Sequence, residues 1–291
     1  MKIALVYDRD SRVGVGERCR RVLAHQPGLE VSQFNLKEIG HVTGGFDLYL
    51  RLDDGNYAPP FPAGLHPYAW WVADTHLRHP LSCIIRNTPD CDALFCFQKE
   101  GAWEVARATG RLVRWLPPAC DHIDPAPVFV PHRERRWDIA FVGTTGKYTL
   151  RKVVLEFIKS GYPNAFIGTV HHSELTAIYS QARIVVNYAI NNDINMRIFE
   201  AMAAGALVLN NRIRDNGFED IFSPGKDCVV FDDPTTGELK RLIDHHLAHC
   251  DEGERIARAG FALARRHTYR ERLREIGRVV LNRGVCEAGF F

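Results

Sequence analysis

The stretch between Ile184 and Leu209 constrains the fold more than any other. An apolar, strand-like run over 184–189 gives way to a polar loop, Asn191-Asn192-Asp193-Ile194-Asn195; a short helix rich in Ala, Met, Ile and Phe follows as far as Gly205, and a second apolar run over 206–209 leaves it. A strand, a helix and a second strand in such close succession read as one parallel βαβ unit. The helix carries Arg197 and Glu200 three positions apart, on one face. A strand end, a polar loop and a helix N-terminus together suit a negatively charged, hydroxyl-bearing ligand. A nucleotide sugar answers that description.

The same alternation runs through the rest of the chain. In the first half the pattern predicts strands over 2–7, 29–34, 46–52, 69–73, 93–97 and 112–116, with helices over 15–25 and 99–109. Ligand-facing residues of such a sheet lie in the loops after its strands. Those loops are Asp8 to Gly16, Asp53-Asp54-Gly55-Asn56-Tyr57 and Asp74-Thr75-His76. Gly14 and Gly16 lack the third glycine of a dinucleotide fingerprint, so NAD binding is not expected. Prolines 117, 118, 125, 127 and 131 interrupt the periodicity. A first domain over 1–120, a linker over 121–136 and a second domain over 137–267 follow, with a tail from Thr268. In the second domain the expected strands are 137–142, 165–167, 184–189, 206–209 and 228–231. Helices are expected over 149–159, 173–181 with Ser173 as N-cap, 239–249, 252–266 and 269–281.

Length and charge agree with that division. The 291 residues accommodate two domains of about 150 each. A net charge of +2 excludes a nucleic-acid-coating surface as the expected role. Arginine makes up 29 of the 37 basic residues, a bias that suits bidentate phosphate contacts but that genome base composition also produces. No apolar run reaches the roughly 18 residues of a membrane span, and the first one stops at Asp8, so it reads as a strand of a cytoplasmic protein. The eight cysteines form no Cys-x-x-Cys pair and read as reduced, buried thiols. His171-His172 and His245-His246 have no partner at ligand spacing, and adjacent histidines do not share a helix face. No metal site is expected.

Four motifs occur in order: Phe141-Val142-Gly143, Arg197 to Gly205, Phe222-Ser223-Pro224-Gly225-Lys226-Asp227, and Thr268-Tyr269-Arg270-Glu271-Arg272. With them the second half resembles the C-terminal domain of GT-B glycosyltransferases of the glycosyl-transferases-group-1 superfamily. It is most similar to the CgeB-like, spore-maturation branch, which Trp70 to His76 and Trp115-Leu116-Pro117-Pro118-Ala119 also resemble. The resemblance implies an α/β protein of two Rossmann-like domains facing across a cleft, with the final helix crossing back to the first. It also implies transfer of a sugar from a nucleoside-diphosphate sugar to an acceptor hydroxyl, with retained anomeric configuration and without a metal or other cofactor. Two positions depart from the superfamily pattern. Asn192 stands where many members carry a glutamate eight positions before Glu200, and Thr144 where a basic residue often follows the glycine.

The chemistry then assigns candidates. Arg197 at the first turn of its helix fits a diphosphate clamp, or else an ion pair with Glu200. Glu200 would accept hydrogen bonds from ribose hydroxyls, because an acid in an apolar helix needs a polar partner. Gly143, Thr144 and Lys147 form a turn that offers N–H groups and hydroxyls to phosphate, and Arg151 is a second basic candidate, though a plain turn and a solvated lysine fit as well. Asn192 and Asn195, with Asn191 and Asp193, would read sugar hydroxyls or else bond locally. Histidine 76 and Asp74 are the candidates for contacting sugar and acceptor during transfer, and the resemblance implies such a role for His76. Asp53 and Asp54 would bind acceptor hydroxyls or serve the turn with Gly55. Of Trp70 and Trp71, one ring is expected in the core and the other toward the ligand. The acceptor, a glycan, a protein or a small molecule, is unknown. A catalytically silent nucleotide-sugar binder, a sugar-nucleotide epimerase and a phosphorylase are the other readings.

Overall fold

The structure, a computed structural model, describes residues 1–11, 14–53, 55–121, 127–146, 149–232 and 237–281. They divide into two compact units, Met1–Asp121 with Tyr269–Phe291, and His122–Thr268. The first unit holds β1 (Lys2–Tyr7), α1 (Val15–Ala24), β2 (Glu30–Asn35), β3 (Leu48–Asp53), β4 (Tyr68–Val72), α2 (Arg78–Asn87), β5 (Ala93–Cys96), α3 (Lys99–Thr109) and β6 (Val113–Trp115). Its six strands are all parallel, in the order β2-β1-β3-β4-β5-β6. Ile3 to Val6 are fully buried, as the near-continuous apolar runs of a parallel sheet require. The sequence pattern hides α2, because Pro80 reads as a breaker but lies in the helix's first turn, where no intrahelical donor is lost.

The second unit holds β7 (Trp137–Val142), α4 (Leu150–Gly161), β8 (Ala165–Gly168), α5 (His172–Ser180), β9 (Ala182–Asn187), α6 (Met196–Ala203), β10 (Leu207–Asn211), α7 (Phe218–Ile221), β11 (Val229–Phe231), α8 (Gly237–Ala248) and α9 (Cys250–Ala264). Its five parallel strands run in the order β11-β10-β9-β7-β8. Ile139, Ile184, Val186, Leu207 and Leu209 pack against Val154 and Ile158 of α4, Ile243 of α8 and Ile256 of α9. The N-cap of α5 is His171 and not Ser173: its ring accepts from Ser173 N while Glu174 reaches back to the His171 N–H. Within residues 127–136, proline-marked in the sequence, His132 and Arg135 are buried. The Arg135 guanidinium donates to Val130 O and Ala182 O and is buried.

The last helix, α10 (Tyr269–Val280), belongs to the first unit. It packs against α1 and β4. Arg272 is buried and donates to Pro117 O at 2.8 Å and Pro118 O at 3.3 Å, while Tyr269 N donates to Cys120 O. The Trp-Leu-Pro-Pro-Ala and Thr-Tyr-x-x-Arg motifs are thus two sides of one joint. Trp71 lies under it, its Nε1 on Leu116 O and its ring 6.2 Å from that of Tyr269. Trp70 fills the opposite face beside the guanidinium of Arg51. Both tryptophans are buried, at 0% and 1% exposure, so the expectation that one of them faces a ligand is corrected. No helix among the described residues is long and apolar enough to cross a membrane.

Candidate active site

In an open parallel sheet, ligands bind beyond the carboxyl ends of the strands where the strand order reverses. In the second unit that place lies between β7 and β9, since β8 adds on one side and β10 and β11 on the other. The residues collected there are cationic and close-packed. Arg197, at the start of α6, donates from Nε to Val142 O at 3.0 Å and from Nη1 to Asn187 Oδ1 at 2.6 Å, which ties it to the ends of both strands. Its guanidinium lies over the Phe141 ring, 4.3 Å from the centroid. Gly143 has φ +140°, and a Cβ there would stand 2.4 Å from Arg197 Nη2. The glycine of the Phe-Val-Gly motif is therefore explained by the arginine of the next motif.

Arg151, in the first turn of α4, donates from Nε to Tyr188 O and from Nη1 to Thr144 O. It links the turn after β7 to the loop after β9. Burial first, and then the Arg197 charge, push its pKa down to about 10, while Asp193 acts the other way. Arg151 therefore stays cationic at neutral pH. Two guanidinium groups near enough to repel mark a place that favours an anion. The N-caps of both helices that open here, Thr149 of α4 and Asn195 of α6, make no side-chain cap hydrogen bond. Asn195 Oδ1 is buried and has no hydrogen-bond partner among the described residues.

Behind Arg197 runs a buried amide ladder that the sequence reading missed. Asn187 Nδ2 donates to Asn210 Oδ1 at 2.5 Å, and Asn210 Nδ2 to Asn211 O. Asn211 exchanges two bonds with the backbone of Ala189. Asn187 and Asn210 are fully buried. The available signal was an asparagine closing each of two apolar strands, Val186-Asn187 and Leu209-Asn210-Asn211. Tyr179 completes the surround, its hydroxyl on Val142 O and its pKa pushed up to about 12, chiefly by burial. Glu200 lies near enough to add to that shift and Arg197 to oppose it.

The structure thus brings Gly143, Thr144, Arg151, Arg197, Asn195 and Glu200 to one strand-end region. Lys147 lies outside the described residues. Asn192 is in the same loop, but its amide is engaged elsewhere. It donates to Arg214 O and accepts from Arg214 N, both at 2.8 Å, with its backbone at φ +53°. Asn tolerates that left-handed conformation, and its amide is both donor and acceptor, two properties glutamate lacks. Phe222 to Asp227 is also a local device: Asp227 Oδ1 accepts from Ser223 N, and Gly225 turns the chain at φ +81°.

In the first unit, Asp53 ends β3 beside Val72 at the end of β4. Its side chain and Asp54 lie outside the described residues. Asp74, just past β4, has φ +54° and accepts from the Tyr57 hydroxyl at 3.1 Å. His76 follows in the same half-buried turn, anchored by Thr75 Oγ1 on Gln98. Gly16 is a packing glycine: a Cβ there would stand 2.4 Å from Tyr7.

Solved structures share this architecture. HepE from Anabaena, in complex with UDP and glucose, is 11% identical, with 97% of this chain and 100% of that one covered at a TM-score of 0.67. Sucrose-phosphate synthase from Thermosynechococcus elongatus is 12% identical, covered 97% and 98%, at a TM-score of 0.64. The N-terminal domain of Candida albicans trehalose-6-phosphate phosphatase is 9% identical, covered 98% and 97%, at 0.70. At these identities the likeness is one of fold, and the fold is GT-B. A sequence search of curated proteins finds no match. The family profile described as glycosyl transferase-like matches residues 129–278, which takes in β7 to β11, Gly143, Arg151, Arg197 and Glu200. With more than half of its length in that match, the chain belongs to the glycosyl transferase-like family.

Proposed function

We propose that the protein moves a sugar from a nucleoside-diphosphate sugar to an acceptor hydroxyl, and that it binds the donor's diphosphate between the ends of β7 and β9. The observation that carries the reading is the pair Arg151 and Arg197, held by strand-end carbonyls around the Gly143 turn in a chain of this family. HepE, which shares the fold, holds UDP and glucose. The bond between the anomeric carbon and the diphosphate breaks with negative charge gathering on the leaving oxygen. Fixed guanidinium groups and open helix N-termini stabilise that charge without reorganising.

The remaining roles follow the same reading. Glu200 accepts from the ribose hydroxyls; Asn195, with an open carbonyl, faces sugar hydroxyls. Asn192 holds the loop at Arg214 and acts on the donor only through that loop. On the first unit, His76 and Asp74 are assigned to the sugar and acceptor, and Asp53 and Asp54 to acceptor hydroxyls. The new bond forms on the face the diphosphate leaves, and the acceptor proton passes to the departing phosphate oxygen, so configuration is retained; the reading assigns the charge on the leaving group to Arg151 and Arg197 and not to a metal. We place the chain in the CgeB-like branch on its motifs, and we assign it to the cytoplasm.

Purified protein is mixed with a panel of nucleotide sugars, with and without candidate acceptors and with a chelator in parallel, and nucleoside-diphosphate release and product anomeric configuration are measured. Release that depends on acceptor, survives chelation and yields the donor's own configuration is expected. Tight binding with no turnover for any acceptor would establish the silent binder instead. Epimerised nucleotide sugar without transfer would establish the epimerase.

A further inference from the structure

α8 ends at Ala248 and α9 begins at Cys250, with only His249 between them. His245 and His246 stand in the last turn of α8, and Glu252 in the first turn of α9. One ring nitrogen of each histidine and one carboxylate oxygen of Glu252 lie within 4.8 Å of one another. His245 Nε2 and Glu252 Oε2 are 2.8 Å apart, and the two imidazoles stand edge to face with centroids 5.0 Å apart. Neighbouring helix positions point about 100° apart, which is why the histidine pair alone is a poor chelate. The corner supplies what the spacing lacks, a third ligand from the next helix.

A second observation points the same way. His246 is 6% exposed, and its Nδ1 is buried with no hydrogen-bond partner among the described residues. A buried polar atom left without a partner asks for one, and an ion is among the usual answers. His245 and Glu252 are exposed enough to rotate, at 41% and 43% of their side chains, so the three atoms can close to the roughly 2.0–2.2 Å radius of a zinc shell. Two imidazoles and a carboxylate match zinc's ligand preferences and not those of magnesium or calcium.

We propose that His245, His246 and Glu252 bind one zinc ion, which fastens the α8–α9 corner and leaves its fourth position to solvent. The ion links the last turn of α8 to the first turn of α9. α9 packs on α6 and β10, so fastening its first turn stiffens the second unit.

The tag-free full chain, stripped of metal and kept reduced, is titrated with Zn²⁺ by calorimetry, and its melting temperature is followed with Zn²⁺ or Mg²⁺. One zinc per chain and a raised melting temperature with zinc alone are expected. His245→Ala and Glu252→Gln remove partly exposed groups and leave the fold intact; each removes a ligand and should weaken zinc by at least the roughly tenfold that losing an outer-shell partner costs. A His171→Ala/His172→Ala chain should bind as the parent does. No zinc binding by the folded parent, or an unchanged affinity in both His245→Ala and Glu252→Gln, would overturn the site. Nucleotide binding is not a readout, so the outcome is independent of the proposed transferase reading.

Discussion

Each unit has one place where its strand order reverses, between β1 and β3 in the first and between β7 and β9 in the second, and the two are furnished with different side chains. The second is cationic: Arg151 and Arg197 share it, braced by backbone carbonyls and a buried amide ladder. The first mixes acids with a base: Asp8, Arg9 and Asp10 follow β1, and Asp74 lies past β4, one strand further on. Its basic neighbour Lys37 is paired with Asp10 at 2.6 Å. Two sheets with the same local order thus present different chemistry. Topology supplies the location, and the side chains at the strand ends decide what binds.

The comparison breaks most readily at Arg197. Arg197→Ala should lower turnover by roughly two to three orders of magnitude, as the loss of one preorganised oxyanion donor does elsewhere. It should also weaken binding of the free nucleoside diphosphate. Because Asn187 Oδ1 loses its Arg197 donor and Val142 O keeps the Tyr179 hydroxyl but loses the shorter bond from Arg197, about 1–3 kcal/mol of stability should go as well. Calorimetry with the nucleoside diphosphate and a denaturation curve check both. Unchanged nucleotide affinity would remove the second unit's claim to the diphosphate.

Two glycines sharpen it next. Gly143→Ala places a Cβ 2.4 Å from Arg197 Nη2 at φ +140°, so the guanidinium must move. A loss of about 1–3 kcal/mol should come with a drop in nucleotide affinity. Gly16→Ala makes an equally close approach, 2.4 Å from Tyr7, in the other unit. Its cost should be of the same size, about 1–3 kcal/mol, with nucleotide affinity unchanged. Equal effects on affinity from both would show that the two switch points are not functionally distinct.

Asn192→Glu restores the acid that many superfamily members carry, and should be harmful here. Glutamate cannot donate to Arg214 O, and at φ +53° it pays about 1–2 kcal/mol that asparagine largely avoids. Lower melting temperature without tighter donor binding is expected. Tighter donor binding would mean that the side chain reads the sugar directly.

The strands were legible because parallel sheets bury both faces, and runs such as Ile3 to Val6 and Ile184 to Val186 leave no alternative period. Arg197 and Gly143 were legible as motifs, but not their mutual contact, since 54 positions of chain separate what packing joins. Asn187 and Asn210 were missed because a lone asparagine at a strand end looks like the start of a turn; only the register of β9 against β10, which pairs the two residues, makes them a ladder. The bonding of Asn192 was hidden for a similar reason. Its partner, Arg214, lies on a different loop with no pattern of its own. The contact of Glu252 with His245 was not legible in the sequence because a helix break brings the two together.

The smallest effect tests the first unit alone. Tyr57→Phe removes one hydroxyl and its bond to Asp74, and leaves the ring in the core it shares with Trp70 and Ile84. About 0.5–1.5 kcal/mol of stability should be lost. Asp74, held at φ +54° by its neighbours, then loses the donor that orients its carboxylate. If the first unit handles the acceptor, KM for acceptor should rise a few fold, with the affinity for nucleoside diphosphate unaltered, because a mispositioned carboxylate affects only the substrate it touches. A shift in nucleotide affinity, with acceptor KM constant, would instead tie Asp74 to the donor and erase the division of labour that the charges suggest.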